Sequence, residues 1–262
     1  MLPDPLFLNI HMYGIMIAVG VLAAFAILYF YGKKEKFSQK FSDFLFYDGL
    51  FSIAVGIGSA ALFQAVYNYI EDPSKGFKFD GSITFIGGLI GGAAFFLIVY
   101  LIVRKRIDGK LSDALPVIPS CITVAHGFGR IGCFFAGCCY GKPTESFLGV
   151  KFPGLPHTVH PTQLYESAFL FVLCGIMTYL VLKKRFAYNM SVYLISYGIF
   201  RFAIEYLRDD HRGELVAGIT PSQFWSICMI VLGIFLIFIM KRTNDSSAWN
   251  VEVEYDEETE SE

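Results

Sequence analysis

The sequence predicts an all-α integral membrane protein with about seven transmembrane helices and an extracytoplasmic Gly-rich head region. Three observations carry this. Of 262 residues, 55% are hydrophobic and only 17% charged, where soluble domains carry about 25% charged residues. The apolar residues come in blocks of about 20, the length a helix needs to cross the hydrocarbon core. The connections between blocks alternate between strongly basic and weakly charged, as in a polytopic chain.

The expected spans, in order, are Met12–Tyr31, Phe44–Tyr67, Ile83–Val103, Leu115–Ala125, Leu164–Leu182, Met190–Leu207 and Phe224–Met240. The fourth is short and runs into a Gly-rich stretch. Gly87, Gly88, Gly91 and Gly92 in the third form overlapping small-xxx-small patterns, which let a neighbouring helix or a lipid chain approach closely. Lys33, Lys34, Lys36 and Lys40 follow the first span, and Arg104, Lys105, Arg106 and Lys110 the third. Lys183, Lys184 and Arg185 follow the fifth, and Lys241 and Arg242 the seventh. Every second connection is therefore basic, which predicts these on the cytoplasmic side, the N-terminus outside and the C-terminus inside.

Residues 1–242 form the expected membrane domain, with a head loop at about 126–160. Residues 243–262 are an acidic tail expected to be disordered in the cytoplasm. No basic residue precedes the first apolar run and no cleavage site follows it, so a cleaved signal peptide is not expected. The basic residues are dispersed among short loops, which argues against a nucleic-acid partner.

Polar residues at membrane depth are costly and need a reason. Tyr197, Arg201, Glu205 and Arg208 are spaced four, four and three apart and share a helical face. One reading is an Arg201–Glu205 pair that pins helices together. The other is an anion site, with the planar guanidinium of Arg201 offered to a phosphate. In the expected head, Gly127, Gly129, Gly132, Gly137 and Gly141 recur around Arg130. Such glycines permit turns whose N–H groups cradle an anion, with Arg130 supplying the full charge.

Cys133, Cys138 and Cys139 lie in the same stretch, near His126, His157 and His160. C-x4-C-C is not a usual zinc spacing, so no metal and no cofactor are expected. Small apolar packing is the default for these cysteines, and a Cys133–Cys138 disulfide is the alternative. His160-Pro161-Thr162-Gln163-Leu164-Tyr165-Glu166 opens the fifth span, where Pro and Thr suit a helix start and Glu166 suits its positive end.

In this order, the pieces resemble the prolipoprotein diacylglyceryl transferase family from about His11 to Gly233. The resemblance rests on His11-x-Tyr13-Gly14, Tyr67-Asn68, Gly87–Gly91 and Gly129-Arg130-Ile131-Gly132-Cys133-Phe134 running on to Gly141. It continues through His160–Glu166, Tyr197–Arg208 and Ser222-Gln223. It implies a multi-pass bacterial cytoplasmic-membrane enzyme. Such an enzyme moves the sn-1,2-diacylglyceryl group of phosphatidylglycerol to the lipobox cysteine thiol of a prolipoprotein. A thioether forms and glycerol-1-phosphate is released.

On this resemblance Arg130 and Arg201 are the cations on the phosphate, Tyr13 and Tyr197 position the headgroup, and Glu205 holds Arg201. Its motifs also place His11, Gly129, Gly132, Cys133, Gly141, Gln163, Tyr165, Glu166 and Arg208 at the substrate site. Family members carry His in the position of Ile86 and often Arg in the position of Ala60. They carry Asn and Glu in the positions of Cys133 and Cys138. The change at Ile86 removes the obvious base, and His126 is the expected replacement as catalytic base. The alternatives are that His126 caps a helix, or that no His is needed because a thiol is already partly ionised near neutral pH. Competing functions are a phospholipid-headgroup enzyme with another acceptor, and a small-solute transporter. The internal repeats or broken-helix pair that would favour a transporter are not found in the sequence.

Overall fold

The computed structural model describes residues 11–79, 84–184, 186–209 and 219–244. Its order is α1 (Met12–Lys34), α2 (Gln39–Glu71), a 3-10 turn (Pro73–Lys75), α3 (Phe85–Val103), α4 (Leu111–Ala114) and α5 (Ile118–Ala136). Then come β1 (Val150–Lys151), β2 (Thr158–Val159), α6 (Thr162–Lys184), α7 (Asn189–Ile204), a 3-10 turn (Glu205–Leu207) and α8 (Pro221–Asn244). Four helices are long and apolar enough to cross a membrane: Met12–Lys34, Gln39–Ile70, Thr162–Lys184 and Pro221–Lys241. Gly87–Val103 is apolar but shorter. Leu22, Ile102 and Phe238 are 69%, 72% and 66% exposed. Apolar exposure along whole helices makes sense where the surrounding medium is lipid. Among the expected features, the tail from residue 245 on, Arg185 and the Ile86 side chain lie outside the described residues.

The chain forms two compact units. Gly32–Asp113 is one, built on α2 and α3. Here Ser52 faces Gly92, Gly56 faces Gly88, and Ala60 faces Thr84 and Gly88, so the helices run antiparallel. A Cβ at Gly92 would lie 3.0 Å from the Ser52 carbonyl oxygen, and one at Gly88 would lie 3.3 Å from Ala60 Cβ. These glycines therefore serve close helix packing. Ala60 is buried in the same contact, so a long side chain there would have to enter the α2–α3 seam.

The second unit comprises Met1–Tyr31 and Ala114–Glu262. In it α5 packs along α6, and α7 along α8. Ser167 Oγ donates to the Gly127 carbonyl at 3.0 Å and Cys174 Sγ to the Ser120 carbonyl at 3.5 Å, so α5 and α6 run antiparallel. The α7–α8 seam closes over Gly198 and Gly233, where a Cβ would meet the Ser226 oxygen at 2.9 Å and the Ser191 oxygen at 3.2 Å. Buried Asn189 donates to the Met177 and Pro116 carbonyls, fixing the start of α7.

The fourth span was expected to end at Ala125 and give way to a loop at His126. Instead α5 continues to Ala136, and the non-helical stretch begins at Gly137. Helical glycine costs about 1 kcal/mol relative to alanine, but packing requires it here. A Cβ at Gly127 would lie 2.8 Å from Phe171, and one at Gly132 would lie 2.9 Å from Tyr13. Gly127, Gly129 and Gly132 are thus helical, and their N–H groups do not form the expected anion-cradling turn. Gly137 alone of this set takes a left-handed conformation, at φ 73°, and ends α5.

The segment after Gly137 is short and anchored. β1 and β2 pair antiparallel, Val150 opposite Val159 and Lys151 opposite Thr158. Phe152 is buried against Phe134 and Tyr140. The Gly141 N–H donates to the His160 carbonyl at 2.8 Å, and the Lys142 N–H to the Leu207 carbonyl at 2.7 Å. The sixth expected span, Met190–Leu207, is α-helical to Ile204, tightens to a 3-10 turn over Glu205–Leu207 and is extended by Arg208.

Candidate anion site

Three helices of the second unit meet at Glu166. This residue is 2% exposed and lies in the second turn of α6, whose start is tied down by its neighbours. Thr162 Oγ1 donates to the Cys139 carbonyl at 2.9 Å, and Gln163 Nε2 donates to the Cys138 carbonyl. Glu166 Oε2 lies 2.9 Å from Arg130 Nε of α5. That contact is a charge pair without the alignment of a directed hydrogen bond. Glu166 Oε1 accepts from the Tyr197 hydroxyl of α7 at 2.7 Å and lies 3.5 Å from His126 Nε2. The His126 ring meets Tyr197 edge-on at 5.1 Å, and Tyr193 stacks on Tyr197 at 5.7 Å.

A second carboxylate, Glu205, gathers the other guanidinium groups. Its Oε2 is 2.8 Å from Arg201 Nη1 and 4.0 Å from Arg208 Nε. Its Oε1 accepts from Thr220 Oγ1 at 3.0 Å, and Arg201 Nη2 donates to Ser222 Oγ at 2.8 Å. Thr220 and Gln223 form a reciprocal capping box at the start of α8: Gln223 N–H donates to Thr220 Oγ1, and Thr220 N–H to Gln223 Oε1. The helix cap thereby presents Thr220 and Ser222 to the ion pair.

The two knots are electrostatically one cluster. Arg201 is close enough for its charge to act on Glu166 and His126, and Arg208 on Arg130. Within the cluster Glu166 holds Arg130, and Glu205 holds Arg201 and approaches Arg208. Side-chain exposure is 12% for Arg130 and Arg201 and 3% for Arg208. Arg130 Nη2 is buried without a hydrogen-bond partner, and a phosphate oxygen would satisfy it.

Of the residues expected at the site, the structure joins His126, Arg130, Glu166, Tyr197, Arg201, Glu205 and Arg208. Gly141 bridges to Arg208 through the backbone. Cys133 Sγ lies 3.7 Å from Arg130 Nη1, and Tyr13 packs over Gly132. Tyr165 is instead hydrogen-bonded to His160, at 3.2 Å. The His11 carbonyl accepts from the Gly14 and Ile15 N–H groups, and no contact among the described residues ties its ring to the cluster. A Cβ at Gly129 would meet open space. Gln163 is a clamp on the Cys138 carbonyl, with a buried Oε1 left bare. Sequence reasoning missed Thr220 and Tyr193, although Thr-x-x-Gln before an apolar run signals a capped helix start.

All six cysteines are free thiols. The Cys133, Cys138 and Cys139 sulfurs lie within 4.8 Å of one another. Hydrogen bonds from the Cys133 and Cys138 thiols, aided by the nearby charges of Arg130 and Arg208, hold the Cys139 thiol below the usual thiol range despite its burial.

A sequence model of the family described as "Prolipoprotein diacylglyceryl transferase" matches residues 5–239. A phosphatidylglycerol–prolipoprotein diacylglyceryl transferase of Clostridium tetani (strain Massachusetts / E88) is 37% identical over 241 residues, covering 88% of this chain and 94% of that protein. A second, numbered 2, from Clostridium perfringens (strain 13 / Type A) is 35% identical, covering 89% and 92%. One from Francisella tularensis subsp. mediasiatica (strain FSC147) is 31% identical, covering 93% and 94%.

Proposed function

Because the chain belongs to the prolipoprotein diacylglyceryl transferase family, we infer that it moves the sn-1,2-diacylglyceryl group of phosphatidylglycerol to the lipobox cysteine thiol of a prolipoprotein. The products are a thioether and glycerol-1-phosphate. The observation that carries this reading is Arg130, paired with Glu166 at 2.9 Å, whose guanidinium Nη2 is buried without a hydrogen-bond partner. An oxygen of a phosphodiester headgroup supplies that partner.

The nucleophile belongs to the substrate, so the enzyme needs a base for the thiol and cations for the departing phosphate. Arg130 and Arg201 take the phosphate oxygens, and Tyr13 and Tyr197 orient the headgroup. As charge builds on the leaving oxygen, each guanidinium exchanges part of its interaction with Glu166 or Glu205 for one with phosphate. His126 takes the thiol proton. Glu166 beside Nε2 favours the tautomer with the proton there, leaving Nδ1 as acceptor.

The protein sits in the bacterial inner membrane as seven spans, with the N-terminus and the Gly137–Pro161 segment outside and the C-terminus inside. Its substrates, phosphatidylglycerol and a secreted precursor, are then met from the outer face. The basic residues that follow α1, α3 and α6 support this arrangement. The test is a thin-layer assay with labelled phosphatidylglycerol and a lipobox peptide. Label moving to the peptide is the expected result. Headgroup loss without peptide labelling would point to a lipid enzyme with a different acceptor.

A further inference from the structure

The spacing of Cys133, Cys138 and Cys139 argues against a metal, yet the fold brings their sulfurs within 4.8 Å of one another. Two features of the chain achieve this. Gly137 ends α5 in a left-handed conformation, so the backbone turns back and the Cys138 N–H reaches the Cys133 carbonyl at 3.2 Å. Cys139 is itself left-handed, at φ 63°. Neighbouring residues of an extended chain would point oppositely, whereas this reversal turns the Cys138 and Cys139 thiols to the side of Cys133. The turn is held from behind, because Gln163 and Thr162, both fully buried, clamp the Cys138 and Cys139 carbonyls. Cys138 is exposed, so the cluster opens outward.

We propose that Cys133, Cys138 and Cys139 bind a thiophilic divalent metal ion, zinc by chemical preference, and that its fourth coordination position receives the acceptor thiol. Three protein ligands with one open position is the arrangement of catalytic zinc, and sulfur donors select this class of metal. The site adjoins the phosphate cluster, with Cys133 Sγ 3.7 Å from Arg130 Nη1. His126, Arg130 and Cys133 follow one another at i, i+4 and i+7 along one stripe of α5. Base, phosphate-binding cation and metal ligand are thus in a row. The assignment rests on the transferase reading above. It supplies what the change at Ile86 takes away, since metal coordination lowers the pKa of a bound thiol.

The acceptor thiol displaces water from the metal, and its proton passes by way of water to His126. A sulfur lone pair then attacks the sn-3 carbon of the diacylglyceryl group. The carbon–oxygen bond to phosphate breaks, and its electron pair leaves with glycerol-1-phosphate, held by Arg130. The neutral thioether is a poor ligand, and water replaces it.

The test uses the full chain in detergent, reduced, freed of metal by a chelator and titrated with Co2+. The expected result is a stoichiometric thiolate-to-cobalt charge-transfer band, lost in Cys133→Ser and in Cys139→Ser and kept in Cys228→Ser. A lipobox peptide should shift the band, and the same peptide with Ser in place of its Cys should not. Chelation should abolish lipid transfer, and Zn2+ should restore it. Absence of the band in the parental protein would overturn the proposal, as would a band indifferent to the thiol peptide. A Cys133–Cys138 disulfide in active, metal-free enzyme, or full transfer after chelation, would overturn it equally. A band that shifts with the thiol peptide while no lipid transfers under any condition would leave the metal site standing and sink the transferase reading.

Discussion

Arg130 of α5 and Glu166 of α6 form a buried charge pair, 2.9 Å between Nε and Oε2, that leaves the guanidinium Nη2 without a hydrogen-bond partner. The pair holds the cation in place and keeps part of it available. Glu205 likewise pairs with Arg201 at 2.8 Å, and Ser222 takes the other end of that guanidinium. If these arginines hold the phosphate as proposed, this balance lets the product leave, because the carboxylates compete with the anion for the same charge.

Replacing Glu166 should expose that balance. Glu166→Gln keeps the shape and the Tyr197 contact but leaves Arg130 uncompensated in a buried site. Breaking one partner of a buried pair costs about 3–5 kcal/mol. The variant should unfold at lower temperature in detergent, and phosphatidylglycerol should recover more of its stability than it adds to the parent. An unchanged melting temperature would mean that the pair is not holding the helices.

Lysine at either arginine keeps the charge and loses the planar fork. Arg130→Lys and Arg201→Lys should each slow transfer roughly a hundredfold or more, equivalent to about 3 kcal/mol in the barrier. The check is the single-turnover rate of the purified variants. Both transferring lipid at the parental rate would refute the phosphate assignment.

His126→Gln should lose most of the rate and, with it, the acid limb of the pH–rate profile. Protonated His126 cannot accept the thiol proton, so parental activity should fall as pH drops through the imidazole range. An unchanged profile would leave His126 as an edge-on packing partner of Tyr197.

The proposed orientation, N-terminus outside and C-terminus inside, is open to a direct check. Cysteine-accessibility scanning should label Lys142→Cys from outside and Lys36→Cys from inside. Labelling of Lys142→Cys from the cytoplasm would reverse the topology and the outward-facing site together.

The polar face of α7 was legible because Arg201 and Glu205 pair locally, at i and i+4. The helix-packing reading of Gly88 and Gly92 was legible for the same kind of reason, a repeat on one face. Gly127 and Gly132 misled, since glycine favours turns and serves close packing alike, and only Phe171 and Tyr13 on other helices decide between the two. The motif marked Glu166 as a site residue, but its role as counter-ion to Arg130 needed α6 laid against α5. The thiol cluster depends on the left-handed backbone at Cys139, which residue spacing does not encode.

The most direct test of the central claim follows both products of one reaction. Purified protein, phosphatidylglycerol and a lipobox peptide should give diacylglyceryl-peptide and glycerol-1-phosphate in equal amounts by mass spectrometry, with both lost together in Arg130→Ala. Glycerol-1-phosphate released without lipidated peptide, or equal products from the Arg130→Ala variant, would contradict the account.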